Sequence, residues 1–82
     1  MGVMRAKMRI NRIEKFDGGN EKLHMSAVAK DGGYPADGSD EDNSFARWSP
    51  QGELTLTIAN PSLHGKFEPG ETYYLDFTRA DS

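Results

Sequence analysis

The chain has 82 residues, of which 35% are hydrophobic and 28% are charged, and it carries a net charge of −3. This size accommodates one domain, residues 1–82, and the acidic balance disfavours a general nucleic-acid binder, because phosphate neutralisation favours a basic surface. No apolar run approaches the ~20 residues of a membrane helix, and the charged N-terminal segment does not resemble a secretory signal. Because the sequence contains no cysteine, we expect no disulfide, no thiolate zinc site and no thiol nucleophile.

The first half of the chain predicts a β-hairpin followed by a loop. Apolar and polar residues alternate over 4–11, which is typical of a half-buried strand, and a slip in the alternation near Arg12 predicts a bulge. The run Asp-Gly-Gly-Asn at 17–20 predicts a tight turn, and 21–30 predicts the returning strand. Residues 31–43 contain five acids, three glycines and a proline, so we expect an acidic, solvated and flexible loop there.

The second half predicts three more strands and one helical turn. Short alternating runs predict strands at 44–48, 53–59 and 72–78, and the helical turn falls at 60–65, where Asn can cap and Pro can begin a helix. We expect the tail, 79–82, to fray. Five strands joined by Gly/Pro turns predict an all-β fold, a small five-stranded barrel or sandwich (OB- or SH3-like), because closure or sandwiching hides the strand edges.

The side chains that could carry chemistry are few. Neither His24 nor His64 has a nucleophile and an orienting acid in a fixed register, so we expect no catalytic residues. The acids around Asp40 and Asp42 resemble a calcium loop only in part, since the glycine and the distal Glu of that motif are missing. We therefore expect no metal and no cofactor, although the acidic loop could meet a basic patch on a neighbouring chain.

Charge is divided unevenly along the chain. Residues 1–15 hold five cations and one acid, a net charge of +4, and the rest of the chain carries −7. An outward strand face is often charged for solubility alone, but this separation also suits association with another protein. Large aromatics and Arg are enriched in binding hot spots. The candidate partner-binding residues are Arg5, Lys7, Arg9, Arg47, Trp48 and Tyr74.

The C-terminal half resembles a known family. The segments Trp-Ser-Pro-Gln-Gly-Glu-Leu at 48–54 and Phe-Glu-Pro-Gly-Glu-Thr-Tyr-Tyr-Leu-Asp-Phe at 67–77 look like those of a family of short tailed-bacteriophage proteins, whose genes tend to lie among the virion head genes. The resemblance covers residues 44–79 well and the basic opening strand more loosely. It implies a virion-associated or capsid-decorating role, and it brings no catalytic residues.

Together these features predict a non-enzymatic virion structural protein that decorates or cements the capsid by protein–protein contacts. The expected partners are the major capsid protein or other virion proteins, with the chain homo-oligomeric or bound to the capsid lattice after synthesis in the host cytoplasm. A small core yields only ~3–5 kcal/mol, so stabilisation by a partner is expected. Two alternatives stay open: an OB-like module for single-stranded nucleic acid, with Arg5, Lys7 and Arg9 beside Trp48 or Tyr74, and an assembly factor that never enters the virion.

Overall fold

Four antiparallel strands form one curled sheet in the computed structural model, which describes residues 2–81. The sheet has the order β3-β2-β1-β4 and curls into a half-barrel. A single 3-10 turn, Pro61–Leu63, lies between β3 and β4 and is capped by the Asn60 side chain. The predicted all-β class with one short helical turn is therefore confirmed. The strands are β1 (Gly2–Lys15), β2 (Glu21–Ala27), β3 (Glu53–Ile58) and β4 (Thr72–Thr78).

The β1–β2 hairpin has the turn and the bulge that the sequence predicts. Gly18 and Gly19 adopt φ values of 93° and 99°, which residues with a Cβ rarely adopt, so the Gly-Gly pair permits the tight reversal. The pairing register shifts between Ile10 and Arg12, and this bulge accounts for the slip in the hydrophobic alternation. β2 ends at Ala27, three residues before the predicted end of this strand.

The prediction of a fifth strand at 44–48 is wrong. This segment consists of turns and bends, and Trp48 adopts a φ of 66°, which lies outside the extended region. The segment does not pair as a strand, but Ser44 binds the backbone groups of β1 beyond the end of β2. The Ser44 hydroxyl accepts a hydrogen bond from the Arg5 N–H at 2.8 Å, and the Ser44 N–H donates to the Arg5 carbonyl. The sheet stays open, so the predicted closure into a barrel or sandwich is not confirmed.

The acidic loop is held to the sheet by two buried polar side chains. Asn43 is fully buried; its Oδ1 accepts the Lys7 N–H at 2.8 Å and its Nδ2 donates to the Val28 carbonyl at 2.7 Å. Asp40 is also buried, so the prediction of a solvated loop is wrong for this carboxylate. The Asp40 side chain accepts hydrogen bonds from the Asn43 amide and from the backbone N–H groups of Lys30, Asp42 and Asn43.

The hydrophobic core is small and lies on one side of the sheet. Loop residues such as Phe67 pack against it, but no second sheet or α-helix lies over it within residues 2–81. The Cα trace measures only 16 Å along its shortest axis, and its radius of gyration is 14.7 Å, against ~12 Å for a compact domain of this length. The molecule is therefore essentially one layer thick. The buried apolar side chains are Ala6, Met8, Ile10, Leu23, Met25 and Ile58.

The two ends of the chain flank this sheet. β1 already begins at Gly2, before the alternation that predicts it, whereas residues 79–81 have no regular structure and are exposed. The predicted frayed tail also includes Ser82, which lies outside the described residues. Across residues 2–81, the structure contains no helix with the length and apolar character that crossing a membrane would require.

Candidate protein-interaction surface

The outer face of β1 and β4 carries a cluster of paired charges. Arg5 forms two hydrogen bonds to Asp76, Nε to Oδ1 at 2.6 Å and Nη2 to Oδ2 at 3.2 Å, and its guanidinium lies 4.3 Å from the centroid of the Tyr74 ring. The Tyr74 hydroxyl donates to Asp42 at 3.0 Å, and the Lys7 ammonium lies 3.6 Å from the same carboxylate. The strand pairing places these groups together, because Arg5 lies opposite Asp76 and Lys7 lies opposite Tyr74.

The ionisation of this cluster follows from its hydrogen bonds. The bond from Arg5 lowers the pKa of Asp76, and the same bond raises the pKa of the guanidinium. Donation to the Asp42 carboxylate raises the pKa of the Tyr74 hydroxyl. Three of the six predicted partner-binding residues, Arg5, Lys7 and Tyr74, are thus brought together, but their charges and hydrogen bonds are directed at acids of the same chain.

The other three predicted residues lie in different settings. Arg9 is exposed on the same face of β1 and has no ion-pair partner among residues 2–81. Arg47 and Trp48 belong to the segment that replaces the predicted strand. The side chain of Trp48 is half exposed, and its backbone N–H donates to the Gly38 carbonyl at 2.7 Å. The Trp48 ring packs edge to face on Tyr34, with the ring centroids 6.0 Å apart. Trp48 therefore packs on the acidic loop and is only in part available to a partner.

The inner side of the curled sheet presents an open apolar groove of about 190 Å³. In the groove, the rings of Phe67 and Tyr73 pack edge to face with their centroids 5.7 Å apart, and Leu56 on β3 is 50% exposed. Phe77, which the alternation along β4 places on the same side of the sheet as Tyr73, is 48% exposed. We call this surface the apolar face. Strand alternation predicts that these side chains point inward. A closed barrel would have buried them, whereas the open sheet leaves some of them exposed. Its walls comprise Leu23, Met25, Leu54, Leu56, Ile58, Phe67, Tyr73, Tyr74 and Leu75.

Within residues 2–81, neither edge strand of the sheet, β3 or β4, pairs with a further strand. The Ala27 N–H donates to the Gly52 carbonyl at 2.9 Å, and this bond shows which residues of β3 direct their backbone groups toward β2. In an antiparallel ladder, backbone groups point alternately toward the neighbouring strand and away from it, so those of Glu53, Thr55 and Thr57 point away from β2. On β4 the same alternation directs the backbone groups of Tyr74 and Asp76 outward. Such edges are templates for pairing with another strand.

The histidines and the buried Glu21 make contacts within the fold. His24 lies 3.2 Å from Glu14, and the His64 ring lies 2.9 Å from the Ile58 carbonyl. The Glu21 carboxylate accepts the Gly65 N–H at 3.3 Å and lies 3.6 Å from the Lys15 ammonium, which ties the segment after the 3-10 turn to β2. Within residues 2–81, no three His, Asp or Glu side chains are grouped so that they could hold a metal ion.

Comparison with known proteins adds no relative to this geometry. No protein-family model matches the chain, and no curated protein and no solved structure is significantly similar to it. The resemblance of residues 44–79 to phage head-region proteins therefore stays a prediction, and the physical evidence on function is the open apolar face with its two unpaired edges.

Proposed function

We propose that the chain is a non-enzymatic structural protein of a bacteriophage virion, which binds the capsid surface through protein–protein contacts with the major capsid protein or other virion proteins. The observation that supports this function is the apolar face. A sheet normally buries its apolar side against a second layer, and here loops alone cover the middle of it while Leu56 and Phe77 stay exposed at the margins. The partner would supply the missing layer, and the resemblance of residues 44–79 points to the virion.

The accessible surface of the chain is larger than that of a compact monomer of the same mass, as we expect for a protein that binds a partner. The chain exposes 5778 Å², whereas the relation between surface and mass for compact monomers gives ~4,900 Å² for a protein of this mass. The difference, ~900 Å², is close to the ~800 Å² that each partner buries in a standard protein–protein interface.

The nucleic-acid alternative receives less support from the outer face. Single-stranded nucleic acid requires free cations and free aromatic faces along a groove. Arg5 lies on the Tyr74 ring and is bound to Asp76, while Asp42 takes the contacts of Lys7 and of the Tyr74 hydroxyl. Two carboxylates thus occupy the positions that phosphates would take. Fluorescence anisotropy with a labelled oligonucleotide at two salt concentrations tests this alternative, which requires salt-sensitive binding.

Mass spectrometry of purified virions of the encoding phage tests the proposed function. We expect the chain in mature particles at a copy number that scales with that of the capsid protein. Absence from mature particles would overturn the proposal and would favour an assembly factor that acts only inside the host.

A variant of the apolar face tests which surface makes the contact. Phe77→Asp places a charge on the apolar face, and Thr78→Asp, the matched control, adds the same charge at the next position of the same exposed strand. We expect Phe77→Asp to abolish co-sedimentation with capsids that lack the chain, and Thr78→Asp to retain it. Because Phe77 is half exposed, unfolding free energies should change by no more than about 1 kcal/mol. Equal retention by both variants would place the contact elsewhere.

A further inference from the structure

The outer edge of β3 is the less protected of the two sheet margins. Its outward backbone groups belong to Glu53, Thr55 and Thr57, and the strand contains no proline or lysine that would discourage pairing. The β4 edge, by contrast, carries the Arg5–Asp76 ion pair on its side chains. Apart from Glu53, the strand consists of threonine, leucine and isoleucine, and the β-branched residues among them favour further β-pairing.

We propose that a second copy of this chain pairs with the β3 edge, antiparallel and about a two-fold axis at Thr55. In this register Thr55 lies opposite Thr55 of the second copy, and Leu54 lies opposite Leu56 of the second copy on the apolar face. Only residues with outward backbone groups can exchange ladder hydrogen bonds, and Thr55 is the central one of the three. The resulting interface is isologous, as two-fold dimers require.

Charge complementarity selects this register. Lys22 lies beside Thr57 in the β2–β3 ladder, and Thr57 would face Glu53 of the second copy. Two strand spacings, ~10 Å, would then separate the Cα atoms of Lys22 and that Glu53 on one face of the sheet, within the combined reach of the two side chains. Neither Lys22 nor Glu53 has an ion-pair partner among residues 2–81. The two-fold axis forms the pair twice, whereas a register centred on Glu53 would oppose two like charges.

The dimer specifies which unit would bind the capsid, so this part of the inference rests on the proposed function. Edge pairing leaves the groove side of β4 open, so Phe77 of both copies remains available for the capsid. Two copies joined at β3 would form one eight-stranded sheet with a continuous apolar face. The smallest unit that binds the capsid would then be a pair of chains.

Cysteine crosslinking of the otherwise cysteine-free chain tests the register. In an antiparallel hydrogen-bonded pair the Cα atoms are ~5.5 Å apart, within disulfide range, so Thr55→Cys should crosslink to a dimer under mild oxidation. Thr57→Cys is the matched control, because the two copies of residue 57 would lie four residues out of register. We expect analytical ultracentrifugation of the wild type to show a dimer. A monomer across the micromolar range, or equal crosslinking of both variants, would overturn the proposal.

Charge reversal tests the complementarity independently of the disulfide. Lys22→Glu and Glu53→Lys should each weaken dimerisation about tenfold, and the double variant should restore it, because the pair is rebuilt with reversed signs. Failure of the double variant to restore the dimer would contradict the register. These results are independent of the virion test: a monomeric chain found in virions would remove the dimer alone, and a dimer absent from virions would remove the capsid function alone.

Discussion

Asn43 connects three parts of the chain through one buried amide. Its oxygen accepts the backbone N–H of Lys7, and its nitrogen donates to the Val28 carbonyl and to the Asp40 carboxylate. The Lys7 N–H lies beyond the end of β2, where no strand can pair with it. A side chain therefore supplies the acceptor that the missing strand would otherwise provide, because buried backbone groups are costly to leave unpaired.

Removal of this amide should destabilise the whole domain. We expect Asn43→Ala to lower the free energy of unfolding by about 1–3 kcal/mol, because it leaves the Lys7 N–H without its acceptor and removes one of the hydrogen bonds to the buried Asp40 carboxylate. Urea denaturation followed by tryptophan fluorescence measures the change. Asn11→Ala, which removes one exposed hydrogen bond to Ser26, is the control and should cost less than about 0.5 kcal/mol. Equal losses in the two variants would show that Asn43 has no special role.

Asp40 should make stability depend on acid pH. Burial alone would raise the pKa of this carboxyl, but hydrogen bonds from the Asn43 side chain and from three backbone N–H groups outweigh burial and hold the pKa below the ordinary 3.8. The unfolded chain therefore binds the proton more readily than the folded one. The stabilisation is present above the ordinary pKa and is lost as the pH falls through 3.8 toward the lower folded value.

Urea unfolding at pH 5 and pH 3 measures this dependence. We expect the wild type to lose stability between these values and Asp40→Asn to lose less, since the variant has no carboxyl to protonate at this site. Asp17→Asn makes the same substitution at an exposed position of the hairpin turn and serves as the matched control. An unchanged slope in Asp40→Asn would contradict the role given to Asp40.

At the scale of the elements, strands with long alternation were predictable and the connecting segment was not. The alternation of β1, β3 and β4 and the Gly-Gly turn follow from local chemistry, so these elements form at the predicted places, although β1 extends beyond the alternation at both ends and β3 ends one residue early. The segment 44–48 has strand-like composition, but its conformation depends on Asn43 and Ser44 reaching β1 and on Trp48 covering Gly38. Such contacts between distant segments have no periodic signal.

Gly38 tests the contact between the acidic loop and Trp48. Both Gly38 and Gly32 have positive φ, 73° and 82°, but a Cβ at Gly38 would penetrate the Trp48 indole, whereas a Cβ at Gly32 would meet nothing within 4 Å. Either alanine variant should cost about 1 kcal/mol for the backbone conformation, and Gly38→Ala should cost about 1–3 kcal/mol more for the clash. Thermal denaturation of the two variants measures the difference, and equal melting temperatures would contradict the packing of Trp48.

At the scale of the whole molecule, no second sheet or α-helix covers the apolar side of the sheet within the described residues, 2–81. Sequence alternation identifies the inward residues, but exposure depends on whether the sheet closes, and closure depends on a fifth strand that does not form. The basic strand is also less available to a partner than the sequence predicts, because Arg5 pairs with Asp76 and Lys7 pairs with Asp42. The apolar face, rather than the basic strand, is therefore the surface that we expect a partner to cover.

A reconstruction of the virion at side-chain resolution is the most direct measurement of this claim. We predict density for the chain on the capsid, with Leu56 and Phe77 covered by another protein. Chains that bind the capsid only through the outer face of β1, with the apolar face left in solvent, would contradict it, as would particles without the chain.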